Sequence, residues 1–243
     1  MSVPTKSWTL EGEPTPLDRG ATHGLGVFET MLVEHGRIVR PEWHFERMEN
    51  GCRVLEIEAP DRDAVLTALE PEISGHARLR VRVARTAGAG ALNHLRGNGS
   101  RTILTVSECP PPPESLTVTL AGWPRVETSP LAGVKCMSYA ENLLALDAAA
   151  RAGVDELLFL NTRGEVCEGT TSNLFIEKDG EMLTPPLSSG CLPGTMRRWL
   201  LENGMAREAR IQPSELLYAD RIFLSSATRG VVTATLSDPS VLR

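Results

Sequence analysis

The chain has 243 residues, enough for one large domain or two small ones, and its 41% hydrophobic and 23% charged content is ordinary for a globular protein. A formal charge of −6 with no local Lys/Arg cluster argues against a nucleic-acid partner, and no apolar run approaches the ~18 residues of a membrane span. The N-terminal stretch Met1-Ser2-Val3-Pro4-Thr5-Lys6 lacks an apolar core, so no secretory signal is expected. Five cysteines without a Cys-x-x-Cys pair fit buried thiols in a reducing cytoplasm, and the five histidines form no ligand-spaced cluster, so no metal is expected.

In chain order, Val27 to Val33 suits a strand, being rich in β-branched and aromatic residues. Glu34-His35-Gly36-Arg37 reads as a hairpin turn. Pro41 opens a helix running to about Leu55. Asp61 caps a second helix with Val65, Leu66 and Leu69 on one face, which Pro71 is expected to stop. Arg78 to Arg85 alternates arginine with apolar residues, the pattern of a strand with one solvated or functional face, and Ile103 to Val106 is a further strand. Cys109-Pro110-Pro111-Pro112-Pro113 is stiff and extended, and marks a connection. The expected organisation is an N-terminal α/β domain over 1–108, a proline-rich connection over 109–120, and a C-terminal domain over 121–243.

Beyond the prolines, Ser138 and Glu141 have capping-box spacing at the start of a helix that carries Leu143, Leu144 and Leu146 and ends near Gly153. Strands follow at Glu156–Leu160, Val166–Glu168, Leu174–Glu177 and Met182–Thr184, with tight turns at Arg163-Gly164 and Asp179-Gly180. Leu192-Pro193-Gly194 leads into a helix ending at Gly204, and Ile222 to Ser225 is the last expected strand.

Three features of this framework carry chemistry. Lys135 stands in apolar company, between Gly133-Val134 and Cys136-Met137, and burial turns a lysine into a nucleophile and base. Glu168 follows 33 residues later, at the end of a strand and ahead of a Gly-Thr-Thr-Ser turn. Gly194, Thr195 and Met196 open a helix whose first backbone N–H groups suit a phosphate. An amine for a Schiff base, an acid for a pyridine nitrogen and an anion-binding helix start are what a pyridoxal 5′-phosphate (PLP) enzyme needs.

With their flanks, Lys135-Cys136-Met137-Ser138-Tyr139, Glu168-Gly169-Thr170-Thr171-Ser172-Asn173 and Leu192-Pro193-Gly194-Thr195-Met196-Arg197 resemble the class IV aminotransferase family. The resemblance extends to Asp18-Arg19-Gly20, Gly24-Leu25-Gly26-Val27-Phe28-Glu29-Thr30 and His44-Phe45-Glu46-Arg47-Met48. It implies a two-domain α/β (α+β) fold of type IV, like that of D-amino-acid aminotransferase, with PLP in the cleft between domains and a homodimer. Lys135 is then the Schiff-base lysine, Tyr139 a neighbour of the cofactor ring, and Glu168 the partner of the pyridine nitrogen. Arg47, Thr195, Met196, Ser226 and Ala227 then surround the phosphate. Met196 stands where the family usually has a hydroxyl residue, and Ala227 where many transaminases have threonine, so Ser226 or Thr228 must serve. His23 and Leu25 depart from the family's N-terminal pattern on the substrate side.

Within the family, Thr30 stands where branched-chain enzymes usually have glycine and D-amino-acid enzymes valine. Asn50-Gly51-Cys52-Arg53-Val54-Leu55 and Ala227 lean the same way, toward aminodeoxychorismate lyase, which releases pyruvate and forms 4-aminobenzoate. Thr30 would then position or protonate the substrate. A D-amino-acid or branched-chain transaminase is the alternative, and a PLP-binding homologue without this activity the third. In every case the partner is a small-molecule substrate.

Overall fold

A computed structural model describes residues 4–13 and 15–237. Two compact units emerge: Met1–Pro110 with Val134–Tyr139, and Pro111–Gly133 with Ala140–Arg243. In the first, β1 (Lys6–Thr9), α1 (Arg19–His23), β2 (Gly26–Glu34), β3 (Arg37–Ile38), α2 (Pro41–Val54), α3 (Arg62–Ile73), β4 (Arg78–Thr86) and β5 (Thr102–Glu108) follow in chain order. The strands form one antiparallel sheet in the order β1-β5-β4-β2-β3.

Alternation assigns the faces of this sheet. Val27, Met31 and Val33 of β2 and Val81 and Val83 of β4 are buried with Phe45 and Met48 of α2 and Val65, Leu69 and Ile73 of α3. The intervening residues point the other way, and register places Phe28 opposite Ala84 and Thr30 opposite Arg82. Between β2 and β3, His35 and Gly36 both adopt positive φ, as a two-residue hairpin turn requires. Pro71 does not stop α3. It falls in the last turn, where it forfeits a single backbone bond, and burial of Ile73 beside Leu69 carries the helix on to Ile73.

The second unit runs β6 (Ser115–Leu120), α4 (Ala140–Arg151), β7 (Glu156–Leu160), β8 (Val166–Gly169), β9 (Asn173–Lys178), β10 (Glu181–Thr184), α5 (Thr195–Glu202), β11 (Arg207–Glu208), α6 (Glu215–Tyr218), β12 (Arg221–Ser226) and β13 (Gly230–Leu236). Its strands form an eight-stranded mixed sheet in the order β11-β10-β9-β12-β13-β6-β7-β8. Leu158, Val166, Leu174, Ile176 and Leu224 share one core cluster. Leu157 and Phe159, of opposite parity on β7, pack with Ala145 and Ala149 of α4, while Phe175 and Phe223 pack with Leu200 of α5.

The expected connection over 109–120 is corrected in two respects. Leu116 and Val118 are buried in alternation, so Ser115–Leu120 is a strand of the second sheet and not linker. Residues 134–139 belong with the first unit although they lie far beyond the proline run. The capping box is also absent: the Ser138 hydroxyl donates to the Gly24 carbonyl, and Glu141 pairs with Arg125. On α4 the buried face is alanine, not leucine. Leu143 and Leu144 are exposed, because small side chains let the helix lie close on β7. Strands β1, β6 and β13 escaped the sequence reading, since all three mix polar residues into half-exposed alternation.

Ala149 is fully buried against Leu157 and Phe159, so Ala149→Leu should overpack the α4–β7 contact. We expect a loss of about 1–3 kcal/mol, read from urea denaturation midpoints. Wild-type stability in this variant would show that the alanine face is not close-packed.

Candidate active site

Lys135 is placed by backbone pairing within the first unit. Phe28 N–H donates to the Lys135 carbonyl at 2.9 Å, and Met137 N–H donates to the Gly26 carbonyl at 2.7 Å. Val27 and Cys136 form an antiparallel bridge between these bonds. Residues 135–137 thus run along the start of β2 like a short extra strand. Lys135 Nζ lies 4.3 Å from the Phe28 ring centroid and 5.5 Å from that of Tyr139. The two rings meet edge to face at 5.1 Å and 87°. Thr30, two residues beyond Phe28, shares its face of the sheet.

Arg47 is on the other side of β2. It closes a fork on Glu29, with Nε to Oε1 and Nη2 to Oε2 both at 2.7 Å, while His44 Nδ1 lies 2.6 Å from Oε2. Burial of Glu29 by itself would raise its carboxyl. The charge and fork of Arg47, and then the His44 hydrogen bond, outweigh that and hold it down at about 2. Arg47 is therefore no exposed helix arginine in an i,i+4 pair, but a side chain fixed in one orientation by a buried acid.

In the second unit Glu168 is 9% exposed at the end of β8. Its Oε2 accepts from Leu192 N–H at 2.9 Å, and Arg125 Nε lies 3.7 Å from Oε1. Arg125 stacks over the Phe159 ring at 4.1 Å and bonds Glu141 at 3.1 Å. Asn173 fixes the turn that follows. Its Nδ2 donates to the Leu192 carbonyl at 2.8 Å, and a Cβ on Gly194 would fall 2.0 Å from its Oδ1, so only glycine fits there. Gly194 caps α5 without a side-chain cap bond, and Thr195 is buried at the first helical position, with Met196 half-buried beside it.

Ser226 ends β12, and its hydroxyl oxygen accepts from Arg229 N–H at 3.2 Å, which leaves its proton to donate; Ala227 and Thr228 continue the turn, both half-buried. Glu156, 1% exposed, links this turn to the one after Glu168. It accepts from Thr171 N–H and Ser172 Oγ, each at 2.8 Å, and pairs with Arg229. Asp18-Arg19-Gly20 has a different task. Asp18 caps α1 and accepts from Thr86 Oγ1, and the Arg19 guanidinium bonds the carbonyls of Ala91, His94 and Leu95, organising the loop after β4.

These residues fit a phosphorylated pyridine. A buried carboxylate with an arginine beside it suits a protonated ring nitrogen, and an uncapped helix start suits a phosphate. The buried Ser225 hydroxyl, cross-strand from Asn173, has no hydrogen-bond partner among the described residues. The first unit holds Lys135, Tyr139, Thr30 and Arg47; the second holds Glu168, Thr195, Met196, Ser226 and Ala227. The cysteines take no part: all five thiols are free, four are buried, and burial pushes Cys52 up to about 11 and Cys191 up to about 12.

Comparison with known proteins gives the family and the fold. The model of the family described as amino-transferase class IV matches residues 26–236. The chain is 31% identical over 231 residues to a bifunctional aminodeoxychorismate lyase / D-amino acid transaminase of Mycobacterium tuberculosis, covering 82% of this chain and 78% of that protein. The solved 4-amino-4-deoxychorismate lyase of Pseudomonas aeruginosa superposes with a TM-score of 0.84 at 29% identity, over 95% of this chain and 91% of that one. A hypothetical aminotransferase of M. tuberculosis, solved in a PLP-bound form, gives a TM-score of 0.82 at 26% identity, over 95% of this chain and 90% of that one. The chain belongs to the class IV aminotransferase family, and it is a PLP-dependent enzyme of fold type IV.

Sequence reasoning missed Glu29, Arg125, Glu156 and Arg229. Glu29 alone had a local signal, an acid inside an otherwise apolar strand. Its depressed carboxyl makes a testable contribution to acid stability. A group held at about 2 in the fold and near 4.3 unfolded stabilises the fold above pH ~4.5, and that contribution is lost as pH falls toward 2. It amounts to on the order of 3 kcal/mol. Urea titrations from pH 5 to pH 2.5 should show a smaller slope with pH in Glu29→Gln than in wild type; equal slopes would remove the assignment.

Proposed function

We propose that the enzyme is a 4-amino-4-deoxychorismate lyase, releasing pyruvate and forming 4-aminobenzoate for folate synthesis. The observation that carries this reading is Thr30, a hydroxyl on the same sheet face as the ring against which Lys135 lies. Likeness to a dedicated lyase and to a bifunctional one supports it. When bound, PLP supplies an electron sink for a carbanion at the amine-bearing carbon.

The chain's own residues take the remaining roles. Lys135 would hold the cofactor through its amine and, when free, would take the proton from the amine-bearing carbon of the substrate. Glu168, with Arg125 3.7 Å away, would face the ring nitrogen and favour its protonated form. Tyr139 contacts the ring. The α5 amides of Thr195 and Met196, the Ser226-Ala227 turn and the charge of Arg47 hold the phosphate. Thr30 donates a proton or a hydrogen bond to the departing pyruvyl group. The second reading is a transaminase acting on D- or branched-chain amino acids, favoured by the transaminase half of the bifunctional relative.

Incubation with aminodeoxychorismate, beside D- and L-amino acids with 2-oxoglutarate, separates the two. We expect 4-aminobenzoate and pyruvate; keto acid from a simple amino acid with no 4-aminobenzoate would overturn the lyase reading. Thr30→Val should lower the lyase rate by on the order of 10²-fold while PLP stays bound. An unaffected rate would remove the role of Thr30 alone.

Glu168→Gln should keep PLP but lose at least ~100-fold in turnover, since a neutral amide cannot hold the ring nitrogen protonated. Turnover near wild type would exclude Glu168 as the pyridine partner.

A further inference from the structure

Arg125 is fixed at both ends. Its backbone N–H donates to the Leu160 carbonyl at 2.7 Å, and a parallel bridge pairs it with Asn161, just past the end of β7. Its guanidinium carbon lies 4.1 Å from the centroid of the fully buried Phe159 ring. Nη1 donates to Glu141 Oε2 at 3.1 Å and to Asn142 Oδ1 at 3.4 Å, both in the first turn of α4.

The other two nitrogens are arranged differently. Nε and Nη2 are buried, and neither has a hydrogen-bond partner among the described residues. Nε lies 3.7 Å from Glu168 Oε1, too far for a hydrogen bond and close enough for charge to act. An arginine that serves only as a strut places such donors on acceptors, as Arg229 does on Glu156 and the Thr171 hydroxyl. What Arg125 supplies at Glu168 is therefore charge without a hydrogen bond. Glu141, the opposing carboxylate, has a side chain 43% exposed and is screened by water, whereas that of Glu168 is 11% exposed.

We propose that Arg125 is a positioning residue that decides where the proton between Glu168 and a bound pyridine nitrogen rests. The proposal rests on Glu168 as the partner of that nitrogen. A cation 3.7 Å from a carboxylate makes it a weaker base. The proton then stays on the ring nitrogen, and the ring keeps its capacity to take up an electron pair. Without that cation a buried carboxylate takes the proton itself, and the ring nitrogen becomes a neutral acceptor.

The test is the nitrogen-15 NMR shift of the ring nitrogen in enzyme loaded with labelled PLP, for wild type, Arg125→Met, Arg125→Lys and Glu168→Gln. Turnover of the substrate found by the assay above is read beside it. Arg125→Met should move the shift from the protonated toward the neutral pyridine position and lower turnover by about 10–100-fold, with PLP still bound. Arg125→Lys keeps the charge and should keep the protonated shift. Arg125→Gln is also neutral, retains a donor for Glu141, and replaces the methionine variant if that one does not fold. A protonated shift in the neutral variants would overturn the proposal, whatever their stability, as would an equal change in the lysine and methionine variants. Glu168→Gln separates the underlying reading. A shift lost in Glu168→Gln but kept in Arg125→Met overturns the role of Arg125 alone; a shift kept in Glu168→Gln removes Glu168 as the pyridine partner and the proposal with it.

Discussion

Three residues of backbone pairing decide where the Lys135 amine sits. Without the bonds from Phe28 to Lys135 and from Met137 to Gly26, Lys135 would be a lysine in a loop. With them, its Cα is fixed in a β-ladder and its side chain is laid against Phe28. A lysine loses about 1.5–2 kcal/mol of rotamer freedom when ordered, and contact with two aromatic rings is what offsets that here. The constraint reaches back into the sequence. Gly26 must be glycine, because a Cβ there would lie 2.6 Å from the Arg85 carbonyl and 2.5 Å from Met137 Sδ. Ser138 reinforces the same pairing by donating to Gly24.

A second principle is that buried acids hold the site's other parts. Glu29 orients Arg47, Glu156 ties the turn after Glu168 to the turn at Ser226–Arg229, and Asp18 fixes the start of α1 against Thr86. Each carboxylate is almost fully buried and each is satisfied by several donors, which is the condition under which a buried charge is tolerated. Glu168 shares the design, with the Leu192 N–H on Oε2 and Arg125 Nε 3.7 Å from Oε1.

Much of this was legible in the sequence because the signals were local. The β2–β3 hairpin follows from His35-Gly36, α2 from Pro41, and the helix start at α5 from Leu192-Pro193-Gly194. What escaped was set by distant partners. Pro71 could not be read as tolerated until Ile73 was seen to be buried. Leu143 and Leu144 look like a core stripe, and only the close approach of α4 to β7 gives that place to Ala145 and Ala149. The arginine alternation in β4 was visible, but which arginines are neutralised depends on Glu34 and Glu11, remote in sequence.

The two faces of β2 separate stability from chemistry. Side chains of one parity, Val27, Glu29, Met31 and Val33, are committed to the helices, and among them even the charged residue is structural. Those of the other parity, Phe28 and Thr30, face away from that core, alongside Arg82 of β4. Phe28 is itself buried, but Thr30 is half-buried, and substitution there changes what the sheet presents without opening a cavity in the core beneath the helices. A strand with this division can exchange valine and threonine at position 30 at little cost to folding, because the backbone there is fixed by its neighbours. The same logic holds for position 82, where the backbone is locked between β2 and β5 and the side chain decides whether a guanidinium joins Lys135 over the Phe28 ring.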